Sequence, residues 1–356
     1  MNIVVLGLSI TSSWGNGHAT NYRALVRALA ERDHDVLFLE RDTPWYSANR
    51  DLPSPCWGHT ELYTSTEQLR RRFSADVRKA HLVVVGSYVP DGVEVAEWVL
   101  ASAQGLVAFW DIDTPVTVAN LEAGGAEYLT PELVPRFDLY LSFTGGPLLD
   151  RIANEFGARR VHPFHCMADP ELYRPLDERE RWVLGYLGTY SADRQPALES
   201  LLHEPARMRG GDLYVVAGSS YPPTVAWPGN VERIEHLAPG EHASFFARQR
   251  FTLNLTRAAM VAAGWSPSVR LFEAAACGVP VVSDGWEGLD AFFRIGEEIL
   301  VAESPADVVR IIGETPPEHA RAIGAAARAR VLAEHTPDRR AQQLEALVHV
   351  GGAVAA

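Results

Sequence analysis

The stretch from Ser266 to Asp284 contains the residues best suited to chemistry. A polar loop leads into an Ala-rich segment that predicts a helix, a glycine closes it, and a buried apolar strand follows. The start of such a helix presents backbone N–H groups and the positive end of the dipole, which suits a diphosphate. Arg270 would add a charge-assisted hydrogen bond, and Glu273 would accept from a ribose diol. The pattern predicts a nucleotide-diphosphate site; the alternative is a local Arg270–Glu273 ion pair.

A second loop, from Leu187 to Arg194, again joins a strand to a helix. Gly188 allows close approach of the backbone, and Arg194 would reach a phosphate. The alternative is a surface arginine. Since the helix dipole disfavours a cation at a helix start, the position of Arg194 favours the functional interpretation.

The segment Gly15 to Thr20 follows the first predicted strand and resembles half of a dinucleotide fingerprint. Thr20 and the long preceding loop argue against a Rossmann dehydrogenase. Gly17 and the helix start remain candidates for contact with a phosphate or a sugar hydroxyl. His18 is a catalytic candidate, with an exposed helix cap as the alternative.

Two carboxylates, Asp111 and Asp113, lie two residues apart at a predicted strand end, before Pro115. Such a D-x-D can hold a divalent metal, or it can cap the following helix. Asp113 is the best available carboxylate for orienting or deprotonating an acceptor hydroxyl, and Asp111 is the second catalytic candidate.

Aromatic residues in the loops are candidates for acceptor binding, because an aromatic ring can pack on a sugar or an apolar acceptor. The segment 43–66 is rich in proline and aromatic residues without a clean period, so it is predicted as a loop. The alternative is that it fills a gap over the sheet. The acceptor candidates are Trp14, Trp45, Tyr46 and Trp110.

The alternation of strands and helices predicts two α/β domains, each with a doubly wound parallel sheet that binds ligands at the carboxyl ends of its strands. The predicted domains are an N-terminal acceptor domain at 1–168, a linker at 169–181 and a C-terminal donor domain at 182–336. A helix at 337–356 is expected to pack back on the N-terminal domain. The predicted strands are Asn2–Ile10, Asp35–Glu40, Leu82–Gly86, Gly105–Trp110, Asp138–Phe143, Arg160–His165, Val183–Leu187, Asp212–Ala217, Val231–Ile234, Phe251–Leu255, Pro280–Ser283 and Ile299–Ala302.

Composition excludes several classes of protein. A formal net charge of −13 over 356 residues argues against a nucleic-acid surface. Three scattered cysteines argue against a disulfide framework or a zinc site and favour the cytoplasm. The N-terminus lacks the basic region of a signal peptide, and no stretch reaches the length of a transmembrane segment.

Several motifs together resemble GT-B glycosyltransferases, and most closely the bacterial CgeB-like branch of the family-4-type enzymes. They are D-P-E-L-Y-R-P from Asp169, F-W-D-I-D-T-P from Phe109, L-S-F-T-G-G-P from Leu141, L-G-Y-L-G-T-Y from Leu184, and G-W-S-P-S-V-R-L-F-E-A-A-A-C-G-V-P-V-V-S-D from Gly264. The resemblance covers nearly the whole chain. It implies two Rossmann-like domains that face a cleft.

The resemblance also implies an activity: transfer of a sugar from a nucleotide diphosphate sugar, such as a UDP- or GDP-sugar, to a nucleophile, with retention of configuration. The implied acceptor is a hydroxyl of a small molecule, glycan or peptide, and no metal or other cofactor is implied. Glu273 would hold the ribose, Ser268 with Arg270 and Arg194 the diphosphate, and the backbone of His236 and Leu237 the base. The donor-binding candidates are Gly17, Gly188, Arg194, His236, Leu237, Arg257, Ser268, Arg270 and Glu273.

The chain departs from the family pattern at Trp265, which replaces the first glutamate of the family's E-x7-E motif. In the family that carboxylate touches the donor sugar. The usual catalytic histidine is also absent, and Asp111 and Asp113 occupy its region. Two alternatives therefore remain: a nucleotide-sugar 2-epimerase of the same fold, and a non-catalytic nucleotide-sugar-binding protein.

Overall fold

The computed structural model describes residues 1–15 and 17–354, with side chains as far as residue 350. Asn16, in the glycine loop discussed above, lies outside the described residues, as do the last two residues of the segment 337–356. The chain forms two compact units. Unit 1 is Met1–Cys166 together with the helix that begins at Pro337, and unit 2 is Met167–Thr336.

Unit 1 is built on a seven-stranded parallel sheet with the order β3-β2-β1-β4-β5-β6-β7. Its strands are β1 (Asn2–Gly7), β2 (Asp35–Arg41), β3 (His59–Tyr63), β4 (Leu82–Gly86), β5 (Leu106–Asp111), β6 (Leu139–Ser142) and β7 (Val161–Pro163). The helices between them are α1 (Ala19–Glu31), α2 (Pro44–Ser47), α3 (Thr66–Lys79), α4 (Gly92–Ser102), α5 (Thr114–Glu122) and α6 (Pro147–Phe156). Strand β1 lies between β2 and β4, so the topological switch point, where ligands bind in such sheets, lies between β1 and β4.

Unit 2 contains a six-stranded parallel sheet with the order β10-β9-β8-β11-β12-β13. Its strands are β8 (Trp182–Leu187), β9 (Tyr214–Ala217), β10 (Val231–Ile234), β11 (Gln249–Asn254), β12 (Val281–Ser283) and β13 (Leu300–Val301). Its helices are α7 (Gln195–Leu198), α8 (Glu204–Met208), α9 (His242–Ala247), α10 (Ala258–Ala263), α11 (Val269–Ala276), α12 (Pro305–Glu314) and α13 (Pro317–Glu334), and a π-helical turn at Glu199–His203 joins α7 to α8. The switch point lies between β8 and β11.

The two doubly wound parallel sheets confirm the predicted fold class. The buried strands are easy to recognise because both faces are covered, which produces continuous apolar runs such as Leu82–Gly86. Strand β3 was not predicted. It lies at the edge of its sheet and alternates exposed polar residues with partly or fully buried ones, so the segment 43–66 shows no apolar run.

The last helix, α14 (Pro337–Val354), packs on α1 within unit 1. Glu345 accepts two hydrogen bonds from Arg32, at 2.8 and 2.7 Å, and its Oε1 lies 2.7 Å from Nε2 of His34. Arg340 donates to the carbonyl of His165 at 2.8 Å. These contacts fix the helix to the unit formed by the first half of the chain. Among the described residues, no helix is long and apolar enough to span a membrane.

Candidate functional site

The guanidinium of Arg270 lies across the switch point of the unit 2 sheet. Its Nε donates to the carbonyl of Leu187, at the end of β8, and its Nη1 lies 3.5 Å from both Oδ1 of Asn254 and the carbonyl of Leu255, at the end of β11. The cation also lies 4.8 Å from the ring centroid of Tyr186. Neutral oxygens and an aromatic face therefore hold the charge at the carboxyl ends of two neighbouring strands.

Arg194 adds a second cation to the same region. Its Nη2 donates to the carbonyl of Thr189 at 2.9 Å. Burial lowers the pKa of Arg194, and repulsion from Arg270 lowers it further. Neither arginine has a carboxylate within the 4.0 Å ion-pair distance in the part of the chain described by the structure. Two partly buried cations that repel each other are suited to binding an anion.

A carboxylate near this pair, Asp284 after β12, has other partners. It accepts hydrogen bonds from the N–H and the hydroxyl of Thr256, both at 2.8 Å. Burial raises its pKa, and the attraction of Arg270 lowers it more weakly. Asp284 therefore fixes the loop after β11, and an anionic ligand can still be bound by the arginines.

The start of α11 lies beside Arg270. Ser268 is the N-cap residue, and its hydroxyl accepts from the N–H of Leu271 at 3.3 Å and donates to Oδ1 of Asn254 at 2.7 Å. The first four N–H groups of a helix have no acceptor within the helix, so this end can receive anionic oxygens. The helix begins at Val269, directly after this cap residue.

Two glycines allow the loops around the arginines to approach. A Cβ at Gly188 would lie 2.5 Å from the phenol oxygen of Tyr186 and 2.8 Å from Nη2 of Arg270. Gly218, at φ +152°, would place a Cβ on the carbonyl oxygen of Gly188. A side chain at either position would overlap these neighbouring atoms. The sequence predicts close approach of the backbone at Gly188, and the structure adds Gly218 as a second position that requires glycine.

Glu273 lies on α11, one turn after Arg270, and its exposed fraction is only 6%. It forms a hydrogen bond with the phenol of Tyr173, whose pKa is raised mainly by burial and also by this carboxylate. The phenol oxygen is 3.4 Å from Nδ1 of His242, and Nε2 of His242 is 3.3 Å from the carbonyl of Leu237. Burial lowers the pKa of His242 to about 4, so its imidazole is neutral at pH 7. The structure thus links Glu273 to Leu237 through two residues that sequence reasoning missed.

The other donor candidates in unit 2 lie on loops. His236 is exposed, and Arg257 is the half-buried N-cap residue of α10. Tyr173 was within reach of sequence reasoning, since it lies in the D-P-E-L-Y-R-P motif. His242 was not, because no motif or spacing marks it.

Trp265 has a left-handed backbone at φ +42°, which is rare for a bulky residue. Its N–H donates to the carbonyl of Glu287 at 2.7 Å, and its indole packs so closely on Gly288 that a Cβ there would lie 2.5 Å from the ring. The residue that replaces the family's glutamate is therefore held by its own set of contacts.

In unit 1, Asp111 and Asp113 follow β5. Asp111 is fully buried, and burial raises its pKa to about 6, although hydrogen bonds from Tyr140 and Thr117 favour its charged form. Asp113 is 5% exposed and accepts from the phenol of Tyr88 at 2.9 Å. The two carboxylates therefore have different surroundings. In the described residues, no group of three or more His, Cys, Asp and Glu side chains could hold a metal ion.

The loop before α1 contains His18 and Gly17. His18 is the N-cap residue of α1, but its side chain does not cap the helix; its ring lies 5.7 Å from that of Phe143. A Cβ at Gly17 would meet no atom within 4 Å, so steric crowding does not require glycine there. The start of the loop is held by Glu40, which sequence reasoning missed: it accepts from the N–H groups of Ile10 and Thr11 at 2.7 and 2.9 Å.

The four aromatic candidates differ in exposure. Trp45 is 62% exposed, and Trp14 and Tyr46 are half-buried. Trp110 needs correction as an acceptor platform, because it is 1% exposed and packs in the core with its ring 5.0 Å from that of Tyr22. Its position inside β5, a strand covered on both faces, explains the burial.

Comparisons with known proteins agree with this architecture. A family model described as glycosyl transferase-like matches residues 194–346, which include both arginines and Glu273. No curated protein sequence matches the chain.

Solved structures match over almost the whole chain. They include a sucrose-phosphate synthase from Thermosynechococcus elongatus, at 14% identity and a TM-score of 0.70, covering 99% of each chain. HepE from Anabaena in complex with UDP matches at 14% identity and a TM-score of 0.71, over 98% of this chain and 100% of that one. An alpha-glucosyltransferase in complex with UDP and DNA matches at 11% identity and a TM-score of 0.71, over 98% and 99%. This likeness shows the GT-B fold.

Proposed function

We propose that the chain transfers a sugar from a UDP-sugar to an acceptor nucleophile, with unit 2 as the donor domain and unit 1 as the acceptor domain. The observation that carries the proposal is the pair Arg194 and Arg270 at the switch point of unit 2, two cations for which the described residues provide no ion-pair carboxylate. Support for the uridine nucleotide comes from neighbours of the same fold: HepE was solved with UDP and with UDP-glucose.

The departing diphosphate is the group that most needs stabilisation in this reaction. Arg194, Arg270 and the first-turn N–H groups of α11 would bind its developing charge in a partly buried site, where electrostatic interactions are stronger than in water. Glu273 would accept hydrogen bonds from the ribose, and the backbone at His236 and Leu237 would receive the base. We propose that the two arginines neutralise the charge of the departing diphosphate without a metal ion. Chelation with EDTA should therefore leave turnover unchanged.

The acceptor in this proposal is a hydroxyl of a small molecule, a glycan or a peptide, and Asp113 is the carboxylate that receives its proton. One neighbour is bound to DNA, but the net charge of −13 disfavours a polynucleotide acceptor. We propose retention of configuration, supported by a neighbour named alpha-glucosyltransferase in complex with UDP-glucose, whose own glucose is α-linked. The motifs further support the CgeB-like branch, and the three scattered cysteines support a cytoplasmic location.

The direct test is product analysis. The protein is incubated with UDP-, GDP-, dTDP-, ADP- and CDP-sugars, with and without a panel of hydroxyl acceptors, and the free nucleotides and sugars are separated by chromatography. We expect UDP release from a UDP-sugar and a glycoside with an α linkage by NMR. Interconversion of free UDP-sugars without an acceptor would identify an epimerase, and tight UDP binding without turnover of any donor would identify a non-catalytic binding protein.

A further inference from the structure

The two carboxylates after β5 perform different tasks in the structure. Both oxygens of Asp111 are occupied inside the protein: Oδ1 accepts from the hydroxyl of Thr117 at 2.8 Å and from the N–H of Asp113 at 3.2 Å, and Oδ2 accepts from the phenol of Tyr140 at 2.6 Å. Asp111 is also fully buried. It therefore fixes the turn into α5 and cannot touch a substrate.

Asp113 is the N-cap residue of α5, yet its carboxylate does not cap the helix. The N–H groups of Val116 and Thr117 bond to its backbone carbonyl, at 3.0 and 3.1 Å. Aspartate at this position normally uses its side chain for the cap. Here Oδ2 of Asp113 instead accepts from the phenol of Tyr88 at 2.9 Å.

Tyr88 reaches Asp113 from a strained backbone. It follows β4, which borders the switch point of the unit 1 sheet, and its φ of +65° lies in the left-handed region. Such a conformation persists in a residue other than glycine only where the surroundings hold it, and it is common at functional sites. Tyr88 packs on Tyr128 with 4.8 Å between ring centroids, and the phenol of Tyr128 lies 3.0 Å from the hydroxyl of Thr117. Tyr88 itself is half-buried.

We propose that Tyr88 is a positioning residue that holds the carboxylate of Asp113 in the orientation that receives the proton of the acceptor hydroxyl. The proposal rests on the proposed function. In the reaction, the acceptor O–H bond breaks and its proton moves to Asp113, while the acceptor oxygen bonds to the anomeric carbon. The bond from that carbon to the diphosphate breaks, and its electron pair leaves with the nucleotide.

A phenol that donates to one oxygen of a carboxylate fixes the orientation of the whole group. Tyr88→Phe removes the donor and keeps the ring, so the carboxylate of Asp113 loses the contact that orients it, and kcat should fall about tenfold. The matched control is Tyr140→Phe, which removes a phenol from Asp111 and leaves the bond between Tyr88 and Asp113 in place.

The first readout is the ¹³C NMR spectrum of aspartate-labelled full-length protein at one pH, with the Asp113 carboxyl resonance assigned by its loss in Asp113→Asn. It needs no substrate, so it tests the pairing even if the proposed function fails. If Tyr88→Phe does not fold, Tyr88→Asn replaces it, because asparagine tolerates a left-handed backbone and lacks the phenol. We expect the Asp113 resonance to move in the Tyr88 variant, and the same resonance position in wild type and variant would overturn the proposal.

The second readout is the rate of UDP release from UDP-glucose with water as the acceptor. In Tyr88→Phe we expect kcat to fall about tenfold with KM for UDP-glucose unchanged, and in Tyr140→Phe we expect a smaller fall in kcat. A shifted Asp113 resonance with an unchanged kcat would refute the positioning role and leave only a structural contact. Absence of UDP release in the wild type would refute the catalytic role together with the proposed function.

Discussion

Replacement of Arg270 by glutamine should weaken UDP binding strongly while leaving the fold intact. Glutamine still offers a donor to the carbonyl of Leu187, but it removes the charge. A charge-assisted hydrogen bond contributes about 1.5 to 3 kcal/mol, and each 1.4 kcal/mol is a tenfold change in Kd. Because Arg270 is half-buried and water screens part of its charge, we expect a loss of roughly 10- to 100-fold.

The unfolding free energy should change much less than the affinity. Loss of the Arg270 charge also removes its repulsion of Arg194, which offsets part of the lost contacts. Isothermal titration calorimetry with UDP measures the effect, uridine serves as the phosphate-free ligand, and Arg207→Gln is the control because Arg207 forms an exposed pair with Glu204. Equal UDP affinities in Arg270→Gln and wild type would refute the assignment of the diphosphate site.

Three further predictions concern single side chains. Glu273→Gln should weaken UDP binding about tenfold but leave inorganic pyrophosphate binding unchanged, since only the ribose contact is altered; an equal loss for both ligands in calorimetry would contradict this. Gly218→Ala should lower the unfolding free energy by about 1 to 3 kcal/mol in urea titrations, because alanine would overlap a backbone carbonyl at φ +152°; unchanged stability would count against it. The bonds from Arg32 and His34 hold the pKa of Glu345 at about 2, so its contribution is present above pH 4.5 and fades as pH falls towards 2. Wild type should therefore exceed Glu345→Gln in stability by about 1 kcal/mol at pH 6 and by much less at pH 2.5; a constant difference would contradict the linkage.

The sheets were largely predictable, because parallel strands that are buried on both faces appear in the sequence as continuous apolar runs. Twelve strands were predicted, and each has a counterpart in the structure. The edge strand His59–Tyr63 was missed, since one exposed side leaves it polar. The strand predicted to end at Ile10 ends at Gly7, because the following apolar residues belong to the loop that Glu40 holds.

The sites were only partly predictable. Local patterns marked Arg270, Ser268 and Gly188, because a helix start and a tight loop leave a sequence signature. Residues that are distant in the sequence and meet only in the folded protein leave no such signature. Tyr88 follows β4 and bonds to Asp113 after β5, and His242 contacts Tyr173, which lies 69 residues earlier in the chain. The exposure of a side chain, such as that of Trp110, is equally hard to predict from the sequence, because it depends on which helices cover the strand.

The most direct test of the central claim is a thermal-shift measurement with UDP, GDP, dTDP, ADP and CDP. A ligand that binds only the native state at 100 times its Kd stabilises it by about 2.7 kcal/mol, which is a rise of a few degrees in Tm. We predict such a rise with UDP, reduced in Arg270→Gln and retained in Arg207→Gln. The same Tm with and without every nucleotide would contradict a nucleotide-diphosphate site in unit 2 and the proposed function with it.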